Sequence, residues 1–293
     1  MTPQTRLRKV QQFITHMPSL STTVTKVMAI CNDPAASPND LNKVISLDPV
    51  LTGQVLKLIN SAYYSLPNRI TSLTRAIIML GINTVKNLVL ATAVLSSFKG
   101  HSAMRGLPVD EFWEHSLAVG AAARILAGQL EVPVREQEEF FVAGLLHDLG
   151  KLPIMANFPA IYEKVIRLHA EQAMRSVAAE QQLLGLDHCQ VNHLIFAKWQ
   201  LGRSMFNAAA FHHQPQGAQA ARDQVLYTVA LANEAMRWLR EPSARTSDPD
   251  QDGIVPFLET ACHIALPRVL ALRAEIEAQI EKARVFLNLA GKG

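Results

Sequence analysis

The chain has 293 residues, of which 49% are hydrophobic and 18% are charged, and 28 Lys and Arg against 25 Asp and Glu leave a net charge of +3. This balance excludes an acidic disordered tail and argues against a nucleic-acid-binding arm, while the apolar fraction suffices for a large core. Residues 87–98, the longest weakly polar stretch, fall short of the roughly 20 apolar residues that a bilayer-spanning helix requires. We therefore expect no membrane association, no nucleic-acid partner and a cytoplasmic location.

Apolar residues recur mostly every three or four positions, and alternating runs bounded by turn residues are scarce, which predicts an all-α protein. Proline and glycine positions divide the chain into predicted units: an N-terminal helix or arm (1–14), an N-terminal helical module (15–100), a second helical module (108–240), a flexible loop (241–255) and a C-terminal helical extension (256–293). The two modules are expected to pack as two helical bundles. An apolar stripe on the extension predicts docking, either on the body of the chain or on a second subunit.

Proline steps in the first hundred residues predict four or five helices of ten to fifteen residues. Asp48 is expected to cap a helix that starts at Pro49, and Asn60 and Ser61 are expected to bond backbone groups in the turn that follows. Gly81 is expected to adopt a positive φ at a helix end or to allow a close helix crossing. We place no catalytic group in this module.

Polar side chains occur in the second module at positions that helical periodicity places on apolar faces. They come from five separate segments and comprise His115, the pair His147 and Asp148, His188, the pair His212 and His213, and Asn233. Each residue alone has an ordinary structural explanation, such as an imidazole donating to a backbone carbonyl. Taken together, they indicate a site built inside a helical bundle.

The chemistry of this group favours a metal ion. Asp148 follows a run of apolar residues, where a buried carboxylate is costly unless it is paired with a cation or bound to a metal. Imidazole nitrogens with carboxylate and amide oxygens suit Fe, Mn, Ni or Zn better than a metal that prefers thiolates. The three cysteines are far apart and odd in number, as expected of reduced thiols. No organic cofactor is indicated.

At these residues the chain resembles a known family. The second module is similar to the HD superfamily of metal-dependent phosphohydrolases in Phe112-Trp113-Glu114-His115, His147-Asp148-Leu149-Gly150-Lys151, Asp187-His188 and His212-His213. The first module resembles the HDOD domain in Pro18-Ser19-Leu20, Asp48-Pro49, Asn60-Ser61-Ala62-Tyr63-Tyr64, Ile70-Thr71-Ser72-Leu73, Ala76-Ile77 and Leu80-Gly81. The resemblance covers about residues 15–240 and implies a bacterial signalling protein with an HDOD-type module joined to an HD-like module. Members of this family are regarded as regulatory, with no general enzymatic activity.

The resemblance also implies roles for individual residues. In catalytic HD relatives the metal is held by residues that correspond here to His115, His147, Asp148 and the place occupied by Asn233, whose neutral amide weakens a site for a hard cation. His188, His212 and His213 correspond to ligands of a second metal. Lys151 is either a phosphate contact or a solvated lysine near a helix end. The glutamate that follows the paired histidines in cyclic-di-GMP phosphodiesterases is replaced by Gln214.

Two functions remain open from the sequence. The favoured one is a regulatory adaptor that receives a ligand or a signalling protein partner and passes on a conformational signal. The alternative is a metal-dependent phosphohydrolase that acts on a nucleotide or a cyclic dinucleotide, with water activated by one or two bound ions. The departures at Asn233 and Gln214 favour the adaptor, whereas the remaining histidines and Asp148 favour the hydrolase.

Overall fold

The structure is a computed structural model that describes residues 1–33, 35–98, 108–172, 174–218, 223–240 and 253–289. Within these ranges the chain forms α-helices and short 3-10 turns without any strand, which confirms the all-α prediction. The segment between the two predicted modules (101–107) and residues 241–252 of the predicted flexible loop lie outside the described residues.

The described part of residues 1–98 contains six helices, where the proline spacing predicts four or five: α1 (Pro3–His16), α2 (Thr22–Cys31), α3 (Pro38–Ile45), α4 (Pro49–Ile59), α5 (Leu73–Leu80) and α6 (Ile82–Phe98). The number is larger because local capping signals start short helices. Ser37 and Asp40 form a capping box that starts the eight-residue α3. Asp48 caps α4 as predicted, accepting from the Leu51 amide at 3.0 Å.

Gly81 separates α5 from α6 with a φ of +92°, which confirms its predicted positive φ. No single helix of the described chain combines the length and apolar character needed to cross a bilayer; α5 and α6 do so only when joined, and they are bent by 118°. Asn60 also behaves as predicted. Its amide donates to the Ile70 carbonyl and accepts from the Ile70 amide, each at 2.7 Å, which closes the loop between α4 and α5.

The rest of the described chain forms the second module and the extension: α7 (Val109–Gln129), α8 (Gln137–Leu146), α9 (Lys151–Asn157), α10 (Pro159–Gln172), α11 (Ser176–Leu184), α12 (His188–Trp199), α13 (Arg203–Phe211), α14 (Gln224–Arg240), α15 (Ile254–Cys262), α16 (Leu266–Ala271) and α17 (Arg273–Ala283). α7, α8 and α14 pack together at the centre of this module. The extension docks on the same chain, because α17 packs on α7 and buries Ile276 and Ile280. Its first helix begins at Ile254, before the predicted boundary at 256.

Helix α1 packs against α9 and α12 of the second module, and charged side chains fasten both of its ends. The Arg6 guanidinium donates to the Leu183 and Leu184 carbonyls at the end of α11, at 3.0 and 2.9 Å. The Lys198 ammonium donates to the Ile14 and Met17 carbonyls at the end of α1, at 2.6 and 2.7 Å. These cations satisfy carbonyls that a helix end leaves without intrahelical partners.

The two modules share one continuous hydrophobic core. α6 packs on α8, and the buried ring of Tyr63 lies 5.0 Å from the ring of Phe141 and 5.1 Å from that of Phe286. Residues from the first module, the second module and the extension therefore meet in one aromatic cluster. This shared packing holds the second module, and the site within it, against the rest of the chain.

Candidate metal centre

Two glycines set the distance between the helices that carry the first site residues. A Cβ on Gly120 of α7 would lie 2.7 Å from the Phe141 carbonyl oxygen, and a Cβ on Gly144 of α8 would lie 2.7 Å from the Gly120 Cα. Any side chain at these positions would force the helices apart, since real Cβ contacts are longer. The close crossing brings His115 of α7 near the end of α8, where His147 follows.

His147 and Asp148 lie in the turn between α8 and α9, and Asn192 of α12 fixes this turn. The Asn192 amide oxygen accepts from the Gly150 amide at 2.6 Å, and its amide nitrogen donates to the His147 carbonyl and, at 2.8 Å, to the Ala209 carbonyl. The sequence interpretation missed Asn192. A signal was available, because Asn192 follows Val191 next to the apolar face of α12 that also carries His188.

The carboxylate of Asp148 is the centre of the site, and its side chain is 2% exposed. Five nitrogen-bearing side chains from α7, α9, α12, the α8–α9 turn and the end of α13 surround it at these distances: Lys151 Nζ 2.6 Å, His188 Nε2 3.2 Å, His147 Nε2 3.4 Å, His212 Nε2 3.5 Å and His115 Nε2 3.8 Å. The structure therefore brings together the residues that the sequence identified in separate segments. Lys151 contacts the carboxylate and is largely buried, so it is not the solvated lysine of the alternative interpretation.

Hydrogen bonds on the far side of two rings direct their Nε2 atoms inward. His147 Nδ1 lies 2.7 Å from the Gly144 carbonyl oxygen, and His188 Nδ1 lies 2.6 Å from the carboxylate of Glu180. Glu180 is fully buried and also accepts from the Tyr162 hydroxyl at 3.2 Å. Such outer partners fix ring orientation in metal sites. Glu180 was also missed by the sequence interpretation, because it lies eight residues before His188 and only the packing of α11 on α12 shows that it is buried.

Asn233 and His213 occupy the edge of the cluster. The Asn233 amide oxygen lies 3.0 Å from His115 Nε2, the ring atom that is 3.8 Å from the Asp148 carboxylate. The His213 ring lies 4.2 Å from the His212 ring and 5.1 Å from the His188 ring. Its Nδ1 is buried and has no hydrogen-bond partner in the described chain.

The charge state of the cluster follows from burial and from the neighbouring groups. Burial lowers the pKa of His147 well below 6.5, so its ring is neutral. Burial raises the pKa of Asp148, but His147, Lys151 and His188 lower it by more, so the carboxylate is ionised. Burial lowers the pKa of His188, but Glu180 raises it by more, and the result lies well above 6.5. Metal binding at His188 would therefore release a proton.

The residues fit a divalent metal ion. His147 Nε2 has no hydrogen-bond partner among the described residues, while Asp148 Oδ1 lies 3.2 Å from His188 Nε2 and 3.5 Å from His212 Nε2. A buried ring nitrogen without a partner, aimed at a carboxylate, leaves room for a cation between them. The ligand atoms of His115, His147 and Asp148 lie within 4.8 Å of one another. His188, Cys189 and His212 form a second such group, which adds a thiol that the sequence interpretation did not include.

A cavity of about 230 Å³ opens beside the cluster. Its wall includes His115, Asp148, Lys151, His213 and Asn233 from the site. Apolar and aromatic side chains such as Met155 and Tyr162 form another part of the wall. A small molecule in this cavity would contact both the charged centre and an apolar surface, which is the usual composition of a ligand site.

The motifs of the first module and the imidazole–carboxylate cluster of the second fall within one family model, the HDOD domain, which matches residues 17–215. The chain belongs to the HDOD domain family. The match spans both modules as far as Pro215 and ends before Asn233 of α14.

Two solved structures share the whole fold. The HDOD domain protein of unknown function from Geobacter sulfurreducens has a TM-score of 0.74 at 23% identity, covering 97% of this chain and 99% of its own. A protein provisionally named a phosphohydrolase, from Shewanella amazonensis SB2B, has a TM-score of 0.70 at 22% identity, covering 95% of this chain and 98% of its own. At these identities the likeness establishes the fold.

A curated relative shows a similar level of identity. The uncharacterized protein of Treponema pallidum (strain Nichols) is 23% identical over 226 residues, which is 77% of this chain. The match spans 43% of the length of that relative.

Proposed function

We propose that this HDOD protein is a bacterial cytoplasmic signal-transduction regulator that binds a divalent metal ion and a phosphorylated ligand and passes the binding signal to a protein partner. The observation that carries the proposal is the convergence of four imidazoles and Lys151 on the Asp148 carboxylate, at the wall of a cavity of about 230 Å³. A buried carboxylate surrounded by ring nitrogens is a metal-binding arrangement with a ready opening for a ligand.

His115, His147 and Asp148 would hold the ion, and their nitrogen and oxygen donors support Fe, Mn, Ni or Zn. A bound ion of this kind supplies Lewis-acid polarisation to a phosphoryl oxygen. Lys151 lines the cavity and lies 2.6 Å from Asp148, so its ammonium stands where a phosphoryl group next to the ion would bind. The neutral amide oxygen of Asn233, 3.0 Å from the same His115 Nε2, would be a further oxygen donor to the ion.

Two features support regulation over hydrolysis. Asn233 occupies the place of a charged ligand in the catalytic relatives that the sequence resembles, and Gln214 replaces the later glutamate. Among the described residues, the carboxylates in the cavity wall are Asp148, which Lys151 pairs, and Glu111, which is exposed. A general base must lie within reach of the proton that it removes. Asp148 is paired with Lys151 and Glu111 is exposed to water, so neither is suited to act as a carboxylate general base.

Hydrolysis of a nucleotide or cyclic dinucleotide is the second candidate. The observation that favours it is that Asp148 and Lys151 line the cavity, which would place a phosphoryl group beside the metal ligands. Metal-assisted phosphoryl transfer depends mainly on such positioning and charge.

The metal part of the proposal is tested on protein purified without chelators or nickel. We expect bound Fe, Mn, Ni or Zn, at about one ion per chain, in the wild type. His147→Gln should abolish binding. The matched control is His193→Gln, an exposed histidine of α12 outside the cluster, which should keep the metal. A wild-type protein that takes up none of these ions by equilibrium dialysis contradicts the proposal.

The two functions are separated by a turnover assay with nucleoside monophosphates and cyclic dinucleotides in the presence of Mn or Fe. The regulatory proposal expects ligand binding without product. Turnover that His193→Gln retains and His147→Gln loses would replace it with the hydrolase.

A further inference from the structure

The outward side of α4 carries a glycine that the described chain does not explain. Gly53 lies in the interior of the helix and is exposed, and its φ is not positive. A Cβ built on it would meet no atom within 4 Å. A glycine inside a helix is less stable than an alanine, because it loses more backbone freedom on folding. Neither conformation nor packing requires a glycine here, whereas close approach of another molecule to the helix backbone would require one.

Gly53 lines a groove of about 680 Å³ between α4 and the loop that follows it. The loop side of the groove is formed by residues 66 and 68–71. Asn60 holds this loop against the helix, because its amide donates to the Leu56 carbonyl at 2.8 Å and exchanges two hydrogen bonds of 2.7 Å with the Ile70 backbone. The groove is therefore already formed in the isolated chain.

The charged side chains of the groove are both cationic. Lys57 and Arg69 line it and are exposed, and neither makes an ion pair or a side-chain hydrogen bond within the described chain. None of the nine wall residues is an Asp or a Glu. Water screens exposed charges, so a single small anion would bind here weakly. The charges nevertheless favour an acidic protein partner, and they disfavour contact with the same face of a second copy, since like charges would then meet.

Two exposed apolar side chains lie at the start of the same helix. Leu47, just before α4, is 74% exposed, and Val50 in its first turn is 70% exposed. Val50, Gly53 and Lys57 follow at steps of three and four residues, so they lie along one side of α4. A partner that covers this side removes apolar surface from water, which supplies the affinity that exposed charges lack.

We infer that the outward side of α4 is a docking surface for an acidic amphipathic segment of a partner protein. This surface, the α4 face, consists of Leu47, Val50, Gly53, Lys57 and Arg69. Apolar side chains of the segment cover Leu47 and Val50, its chain crosses α4 at Gly53, and its carboxylates pair with the two cations. Amphipathic segments are commonly recognised in this way, by apolar anchors with flanking charges. The α4 face supplies the protein contact of the proposed function, and the inference rests on that function for this role alone.

The probe is a random peptide library displayed on phage and selected on the immobilised full chain, with counter-selection on Gly53→Leu. This variant blocks the α4 face without changing its charge, and it should not lower the melting temperature, because leucine favours a helix and its Cβ meets no atom of the chain. We expect the enriched peptides to combine Asp and Glu with Leu, Ile or Phe. A synthetic copy of the most enriched peptide is then titrated with the full chain by fluorescence anisotropy.

The charge dependence is measured on variants that the selection did not use. Lys57→Gln, Arg69→Gln should weaken peptide binding roughly 5- to 30-fold, as for two exposed ion pairs lost together, and added salt should weaken wild-type binding in the same direction. The matched control Lys164→Gln, Arg167→Gln removes two exposed charges from α10, outside the groove, and should leave the affinity unchanged.

Four results would overturn the inference: no peptide that distinguishes wild type from Gly53→Leu, an enriched pool without acidic residues, an affinity that the charge variant leaves unchanged, or displacement of the peptide by inorganic phosphate at constant ionic strength. A wild-type dimer in sedimentation velocity that Gly53→Leu dissociates would assign the α4 face to a second copy and overturn it as well. The variants should keep their metal, so failure of the α4 face leaves the metal centre intact. A wild type that binds the peptide but no metal would instead sink the proposed function alone.

Discussion

Asn192 is the residue whose replacement tests most directly how the fold builds the site. Its side chain is fully buried and joins the His147–Gly150 turn to α12 and α13 through three hydrogen bonds. Asn192→Ala removes both amide atoms and leaves the backbone of the turn without its support. We expect a loss of stability and a loss of metal affinity together, because the turn carries both His147 and Asp148.

The size of the effect follows from the groups left unpaired. The Ala209 carbonyl keeps a contact with His212 Nδ1 at 3.2 Å, so the Gly150 amide and the His147 carbonyl lose the most. A buried backbone group without a partner costs about 1–3 kcal/mol, which predicts a decrease of about 4 kcal/mol in the free energy of unfolding. Metal affinity should fall roughly 10- to 100-fold, as when an outer partner of a metal ligand is removed.

Urea denaturation followed by circular dichroism measures the first effect, and equilibrium dialysis measures the second. Asn39→Ala is the control, since Asn39 is exposed in the first turn of α3, and its effect should stay within about 0.5 kcal/mol. A decrease of less than about 1 kcal/mol in the free energy of unfolding of Asn192→Ala, with unchanged metal content, would refute the reasoning. Two buried backbone groups without partners should destabilise the fold by more than that.

Three further predictions concern single residues. Gly150→Ala places a Cβ 2.1 Å from the His188 carbonyl oxygen and should destabilise the protein by about 3 kcal/mol or more in thermal unfolding. Gly53→Ala, with nothing within 4 Å inside α4, should instead stabilise it by about 0.5–1 kcal/mol; equal effects would contradict the packing argument. Burial raises the pKa of Cys189 but the neighbouring histidines lower it to about 7, so iodoacetamide at pH 7.5 should label it before the other two cysteines in mass spectrometry; labelling of another cysteine first would oppose this. The folded pKa of His147 is depressed below the unfolded value of about 6.5, so the unfolded chain binds the extra proton as the pH falls. The difference in free energy of unfolding between metal-free wild type and His147→Gln should therefore be constant above the unfolded pKa and fall between pH 7 and 5. A difference that does not change over this range would argue against a neutral buried ring.

Local signals account for the parts of the fold that were predicted. The Asp48 cap and the positive φ of Gly81 each depend on residues within a few positions of one another. The number of helices in residues 1–98 was underestimated for the same reason, since a capping box such as that of Ser37 can start a helix of only eight residues. The supporting roles of Glu180 and Asn192 were not recognised from the sequence, because the partner of a buried polar residue is known only once the helices are packed.

The helical class, the family resemblance and the polar residues on apolar faces could be predicted from sequence, because periodicity and motifs are properties of neighbouring positions. That these residues meet around Asp148, and that Glu180 and Asn192 orient them, follows from the packing of the helices. His115 and Asn233 are separated by 118 positions and lie 3.0 Å apart. Such a contact depends on the crossing angles and distances between packed helices, which no short stretch of sequence contains.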